Sequence, residues 1–166
     1  GAKLLDLAAA EDDPEEARAL RLAASAIDYH QREQKSFWWA HFARLVDPVE
    51  DWADIRDVLV ADPRLTRLTE DWHKPPRARV ERRHLLLRGT IAPGSSMKPD
   101  GEAFALYEPP TPFDTPGQPY GVRGARRVKI LERLDTTVTG VDGVIIQESL
   151  GKDQHPYDDH PIALTP

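Results

Sequence analysis

Proline and glycine are concentrated in one part of this chain of 166 residues. Twelve of its 15 prolines lie at or after Pro75, and nine of its 10 glycines lie at or after Gly89. Because these residues form turns and interrupt regular structure, the first part can support long helices, whereas the second favours short strands joined by loops. We therefore predict an α+β chain with a helical bundle over residues 1–74, followed by a small antiparallel β-barrel or sheet over residues 75–166.

Charge divides at nearly the same place. Residues 1–73 contain 16 Asp or Glu and nine Lys or Arg, and residues 74–166 contain 12 and 13, so the net charge changes from −7 to +1. The chain has no cysteine, which excludes disulfides, thiolate zinc sites and cysteine nucleophiles and makes a cytoplasmic location the expectation. No apolar run is long enough to cross a bilayer, so we expect no membrane contact.

The helical part begins with a clear start signal. Asp13 is a suitable N-cap, and Pro14 suits the first helical position. Ser36 can cap a second helix, and Asp47-Pro48 repeats the cap-and-proline start for a third. Beyond Pro63, a short fourth helix or an irregular segment would carry Leu65, Leu68 and Trp72. The three main helices are expected over residues 13–34, 37–46 and 47–58.

The second part has the pattern of strands. The segments Val80–Ile91, Glu102–Tyr107 and Arg127–Ile130 are bounded by turn residues, and Asp142-Gly143 is a good hairpin signal between Thr136–Val141 and Val144–Leu150. The proline-rich stretch Pro109–Gly124 is either a functional flap or partly disordered.

Catalytic motifs are incomplete in this sequence. Residues 94–99 lack the second glycine of a phosphate-binding loop, and Pro99 follows the lysine directly. Asp135 or Asp142 followed by Glu148 suggests a nuclease centre, but Leu150 stands where the expected lysine would be. The group Asp153, His155, Asp158, Asp159 and His160 is more typical of a solvated linker than of a metal site. We predict no catalytic residues, no metal ligands and no enzyme activity for this chain.

Two basic clusters are the strongest functional signal. Residues 74–88 contain six Lys or Arg and a single Glu, and a second cluster follows about forty residues later. If both clusters lie on strands of one barrel, they can converge into a surface that binds a nucleic-acid backbone. The alternative is that the arginines pair with the acidic helical part. The candidates for backbone contact are Arg77, Arg79, Arg82, Arg83, Arg126, Arg127 and Lys129.

The sequence Ile27-Asp28-Tyr29-His30-Gln31-Arg32-Glu33-Gln34-Lys35-Ser36-Phe37-Trp38-Trp39-Ala40-His41-Phe42 is the most distinctive part of the chain. It resembles the interdomain region of bacterial proteins that join a RecB-like nuclease to a superfamily-one DNA helicase, where a similar Tyr-His-Arg-Arg-Glu and Trp-Trp pattern occurs. A Tyr-Glu-Pro-Pro stretch from Tyr107 and the segment His160–Leu164 resemble the approach to the helicase core.

This resemblance implies a monomeric fragment of a DNA-repair helicase-nuclease. ATP and a divalent metal would then belong to the missing domains, and no cofactor to this chain. Its partners would be the flanking nuclease and helicase domains and single-stranded or forked DNA, although the sequence does not distinguish DNA from RNA. Trp38, Trp39 and Phe42 would serve interdomain packing. The alternative function is a structural spacer or protein-interaction module that does not bind nucleic acid.

Overall fold

The computed structural model describes residues 2–11, 13–52, 54–118, 121–134 and 141–166. The chain divides into two compact units, Gly1–Ala43 and Arg44–Pro166. This division falls well before the expected boundary between residues 74 and 75. The reason is that two strands of the sheet, β1 (Leu59–Ala61) and β2 (Arg67–His73), already lie in the segment that we expected to be helical.

The first unit contains α1 (Ala2–Ala10), and α2 (Pro14–Arg44) begins in it. The predicted start of α2 is confirmed, because Asp13 Oδ1 accepts a 2.8 Å hydrogen bond from the backbone N–H of Glu15. The predicted break at Ser36 is wrong. Its hydroxyl donates to the carbonyl of Arg32 at 3.3 Å, one turn earlier, so the serine lies inside a continuous helix of 31 residues.

The Asp47-Pro48 signal starts only a short turn. A 3₁₀ helix spans Val49–Trp52, and among the described residues 54–58 none belongs to the expected third helix. The segment expected to form a short fourth helix or an irregular stretch contains the strand β2, which pairs with β3 from Arg67 to His73. Here pairing with a neighbouring strand overrides a local sequence pattern that was ambiguous.

The second unit is a closed antiparallel β-barrel, as predicted. Its other strands are β3 (Arg82–Ile91), β4 (Glu102–Tyr107), β5 (Gly124–Leu134), β6 (Asp142–Ser149) and β7 (Ala163–Thr165). The order around the barrel is β1-β7-β4-β5-β6-β3, and pairing of β1 with β3 closes it. The strand β2 pairs with the other half of the same β3 edge and lies outside the closed ring.

Strand alternation fills the barrel. On β3, Leu85 and Leu87 are fully buried, and they meet Val144 and Ile146 of β6 in one apolar core. The intervening side chains on each strand face outward and are partly exposed. Because inward and outward side chains alternate along both strands, Arg83 near the start of β3 and Glu148 near the end of β6 also face into the barrel.

The predicted hairpin turn at Asp142-Gly143 is wrong. Both residues lie inside β6 and pair with Gly89 and Arg88 of β3. Most of the expected strand Thr136–Val141 lies outside the described residues. Among the described helices, none combines the length and the apolar content needed to cross a membrane.

Candidate nucleic-acid interface

Part of each basic cluster lies on a barrel strand, and β6 separates the two strands. Arg82, Arg83 and Arg88 belong to β3, and Arg126, Arg127 and Lys129 belong to β5. β3 pairs with β6 from Arg82, opposite Ser149, to Gly89, opposite Asp142. β5 pairs with β6 from Lys129, opposite Gln147. Neighbouring strands are about 4.8 Å apart, so the clusters are separated by about 10 Å. The convergence that the hypothesis of a phosphate-binding surface requires is therefore present in the barrel.

Alternation divides each cluster between two faces of the barrel wall. On β3, Arg83 faces inward and is buried, whereas Arg82 before it faces outward. On β5, Arg127 and Lys129 are exposed on the outer face, and Arg126 between Gly124 and Val128 faces the interior. The candidate residues are thus not one surface, because inward arginines meet protein groups and outward ones meet solvent.

The Arg83 side chain is buried inside the barrel. Only 1% of its surface is exposed. Its Nε atom donates to Glu148 Oε2 at 2.5 Å and Nη1 to the carbonyl of Tyr157 at 2.9 Å. Nη2 donates to the carbonyl of Asp159 at 2.6 Å and to the hydroxyl of Tyr107 at 3.1 Å. Because all three nitrogens of Arg83 donate to protein groups and its side chain has almost no access to solvent, Arg83 leaves the set of candidates for contact with a nucleic-acid backbone.

Aromatic rings enclose the same guanidinium. Its central carbon lies 4.9 Å from the centre of the Trp72 ring and 4.6 Å from that of Tyr157. Trp72 also donates its indole N–H to the carbonyl of Tyr157 at 2.8 Å. Because cation–π contacts are stronger where water is excluded, these rings stabilise the charge that burial would otherwise penalise.

The pKa directions agree with a paired interior site. Burial raises the pKa of Tyr107 well above its usual value, and the negative charge of Glu148 raises it further, so its hydroxyl stays protonated and donates to Glu148 Oε1. Burial alone would lower the pKa of Arg83, but Glu148 and Tyr107 together raise it above its usual value. This end of the barrel therefore holds a charged pair with its hydrogen bonds made.

Arg126 belongs to the same interior group. It donates to the hydroxyl of Tyr157 at 3.0 Å and to the carbonyl of Ser149 at 2.6 Å, and it also hydrogen-bonds the side chain of Gln154. Its guanidinium lies 5.3 Å from the centre of the Phe113 ring. These contacts hold the segment after β6 against the barrel. Arg126 is therefore also removed from the candidates for contact with a nucleic-acid backbone.

Arg127 and Lys129 remain on the outside. Their side chains are 64% and 50% exposed, and they lie 3.8 Å and 3.6 Å from the carboxylates of Glu102 and Asp100 respectively. Exposed ion pairs of this kind contribute about 0–1 kcal/mol, so a phosphate group can displace them. Both acidic partners belong to the barrel unit, which differs from the expected pairing with the acidic helices.

The other outward candidates lie on β3 and on the connection from β2 to β3. Arg77 and Arg79 are exposed, and Arg77 has a positive φ of 65° in a turn. Arg82 is half-buried on the outer face. Among the described residues, no hydrogen-bond partner reaches the buried Nε atom of Arg82. We use the name outer basic face for the outward strand residues Arg82, Arg127 and Lys129 together with the two exposed arginines of the connection, Arg77 and Arg79.

Two histidines and a glutamate, which the sequence interpretation did not identify, lie beside this face. Glu70 of β2 is the strand partner of His84 on β3. Its carboxylate oxygens lie 3.2 Å from His73 Nε2 and 2.8 Å from His84 Nδ1. This group was not predictable from local pattern, because residues 65–72 read as helical or irregular and only a strand brings Glu70 opposite His84.

The aromatic residues expected at an interdomain contact are exposed on α2. The exposed fractions are 44% for Trp38, 73% for Trp39 and 52% for Phe42, and the rings of Trp38 and Phe42 stack with their centres 6.0 Å apart. Their role in interdomain packing stays a prediction. In the part of the chain that the structure describes, no group of three or more His, Asp or Glu side chains is arranged to bind a metal ion.

Comparison with known proteins identifies no relative. No protein-family model matches the chain, and no match was found among curated proteins or solved structures.

Proposed function

We propose that this chain is a non-catalytic accessory module of a DNA helicase-nuclease, in which the barrel contacts the nucleic-acid backbone through its outer basic face. The likeness of residues 27–42 to the region between a RecB-like nuclease and a superfamily-one helicase supports the setting. In that setting the flanking domains supply ATP hydrolysis and metal-dependent cleavage, and this chain supplies a binding surface between them.

The observation that carries the proposal is the placement of β3 and β5 on either side of β6. This placement puts Arg82 of one basic cluster and Arg127 and Lys129 of the other on the same side of the barrel wall. The β6 residues between them are the neutral Ser149 and Gln147. Cations spaced about 10 Å apart on a sheet can neutralise separate phosphates of one strand.

Such a surface binds without reading sequence. Its contacts are made by long basic side chains to phosphate oxygens, and affinity comes mainly from release of counterions. Binding should therefore weaken as salt is raised and should depend little on base composition.

The test is fluorescence anisotropy with labelled single-stranded DNA, forked DNA and a matched RNA strand, at about 50 mM and about 150 mM salt. Arg127→Glu with Lys129→Glu should weaken binding by at least about tenfold, because two contacts are lost and two repulsive charges are added. The matched control is Arg18→Glu with Arg21→Glu, which makes the same charge change at two exposed positions of α2. Equal loss in both variants, or no binding by the wild type at low salt, would contradict the proposal.

A second candidate is a spacer or protein-interaction module that does not bind nucleic acid. The exposed aromatic side chains Trp38, Trp39 and Phe42 favour it, because large apolar residues grouped on a helix commonly mark a contact with another protein. Under this function, Arg127→Glu with Lys129→Glu does not change the affinity of the chain for a flanking domain, and neither the variant nor the wild type binds nucleic acid. Replacing the aromatic residues lowers affinity for a flanking domain supplied separately.

A further inference from the structure

We propose that His73 and His84 make nucleic-acid binding by the outer basic face dependent on pH, with binding strengthened as the pH falls through the range in which imidazole gains a proton. This inference rests on the proposed function, since it concerns the same surface. It arises from the contacts of Glu70, whose carboxylate lies between the two rings.

Both nitrogens of each ring face an oxygen atom. His84 Nδ1 lies 2.8 Å from Glu70 Oε2, and its Nε2 lies 3.3 Å from Gln147 Oε1. His73 Nε2 lies 3.2 Å from Glu70 Oε1, and its Nδ1 lies 3.0 Å from the carbonyl of Asp71. A neutral imidazole has one N–H donor, whereas imidazolium has two. Neutral His73 therefore leaves one of its two contacts without a donor, because the Glu70 carboxylate and the Asp71 carbonyl only accept. At His84 the contact with Glu70 is strengthened by protonation, whereas the Gln147 amide can present either its oxygen or its amino group to the ring.

The strand register places this group within the proposed surface. On one row, His84 of β3 is opposite Gln147 of β6, which is in turn opposite Lys129 of β5. On the next row, His73 of β2 is opposite Arg82 of β3. His84 thus lies on β3 within the outer basic face, and His73 extends that face by one strand, onto β2.

Protonation changes the local charge by two. With neutral rings, the Glu70 carboxylate in contact with His73 and His84 gives this group a net negative charge, and this charge repels phosphate. With both rings protonated, the group of Glu70, His73 and His84 carries a net positive charge. Histidine is the side chain that ordinarily makes this change between about pH 5 and pH 8.

The charged groups around the two imidazole rings include both basic and acidic side chains. Arg82, the strand partner of His73, opposes its protonation, and Lys129 does so weakly from the far side of β6. Glu70 is in direct contact with both rings, and Asp71 on β2 adds a second carboxylate to that strand.

The experiment repeats the anisotropy titration with single-stranded DNA carrying a pH-insensitive label, at about pH 5.8 and about pH 8.0 and at constant ionic strength. Wild-type protein should bind roughly tenfold more tightly at the lower pH, because up to two further phosphates are neutralised. His73→Gln with His84→Gln keeps polar side chains that cannot be protonated and should remove this difference. His30→Gln with His155→Gln, at exposed positions elsewhere, should retain it.

The outcomes separate this inference from the proposed function. Salt-sensitive binding of equal strength at both pH values leaves the binding surface intact and overturns the pH dependence. The same conclusion follows if the His73→Gln and His84→Gln variant keeps the full pH effect. Absence of binding at both pH values contradicts the proposed function. In that case, NMR titration of the two imidazole rings still decides whether they become protonated beside Glu70, and rings that stay neutral down to about pH 5.5 overturn the charge change itself.

Discussion

The Nε atom of Arg83 donates a 2.5 Å hydrogen bond to Glu148 Oε2 across two paired strands, and both side chains are buried. The two residues are direct partners in the register of β3 and β6. Their inward position follows from the same alternation that places Leu85 and Ile146 in the core. The pair holds one end of the barrel together and, through the carbonyls of Tyr157 and Asp159, fixes the segment that covers this end.

Removing one partner of this pair should destabilise the protein severely. Glu148→Ala leaves the Arg83 guanidinium charged and without its carboxylate, and loss of one member of a buried pair costs about 3–5 kcal/mol in free energy of unfolding. Urea denaturation followed by circular dichroism measures the change. As a control, Glu102→Ala removes the exposed partner of Arg127 and should alter stability by less than about 1 kcal/mol. Similar losses in both variants would show that the interior pair has no special role.

Stability should also fall in alkaline solution because of Tyr107. Its pKa is raised in the folded protein by burial and then by Glu148, whereas in the unfolded chain it is near 10. Above about pH 10 the unfolded chain releases this proton and the folded protein keeps it, so the free energy of unfolding decreases as pH rises. Below that pH both states are protonated and this contribution is fully present.

Urea unfolding between about pH 8 and about pH 11 tests this dependence. Tyr107→Phe should lower stability at neutral pH, because Glu148 loses a hydrogen-bond donor, but should make the alkaline decline shallower. Burial also raises the pKa of Tyr157, so some decline remains in this variant. Tyr29→Phe, at a side chain that is 63% exposed, should leave the decline unchanged. A decline of the same slope in all three proteins would contradict the assignment to Tyr107.

Features determined by short-range rules were predictable from the sequence. The start of α2 follows from Asp13 and Pro14, because an N-cap acts on the next few residues alone. The strands after Pro75 follow from the spacing of glycine and proline there, which permits short strands and not long helices, whereas β1, which closes the barrel, lies before Pro75 and was not predicted. The helix break predicted at Ser36 is wrong even though it rests on a short-range rule. A serine can cap a helix or donate a hydrogen bond to a carbonyl of the previous turn, and the choice depends on the residues that follow.

The division of the arginines could not be predicted, because it depends on partners distant in the chain. Arg82 and Arg83 are adjacent and chemically identical, and a shift of one residue in strand register would exchange their positions. The register is set by pairing with β6, and the carboxylate that holds Arg83 is 65 residues away. Likewise, Glu70 and His84 meet only because β2 is a strand, which local sequence did not indicate.

Gly89 should tolerate no side chain. A Cβ atom built at this position would lie 1.8 Å from the carbonyl oxygen of Val60 on β1, and a backbone atom in a paired strand cannot move aside as a side chain can. Gly89→Ala should therefore disrupt the pairing that closes the barrel and cost about 3 kcal/mol or more, which is large for one substitution. Thr90→Ala, at the exposed neighbouring position, should cost less than about 1 kcal/mol. Thermal unfolding of the two variants gives the comparison, and equal melting temperatures would show that β1 can shift to accept the methyl group.

Trp39 and Trp52 should differ sharply in their effect on the stability of the isolated chain. Trp52 is 2% exposed and packs with Leu45, Val58 and Leu106, so Trp52→Ala should cost about 3–5 kcal/mol. Trp39 is 73% exposed, and Trp39→Ala should change stability by no more than about 0.5 kcal/mol. Urea denaturation measures both, and iodide quenching should show that the fluorescence lost with Trp39 belongs to the accessible part, to which the partly exposed Trp38 also contributes. A large destabilisation by Trp39→Ala would mean that this side chain is used within the chain itself. If Trp39→Ala does not destabilise the chain, Trp39 is available for the contact with a neighbouring domain that the sequence resemblance implies.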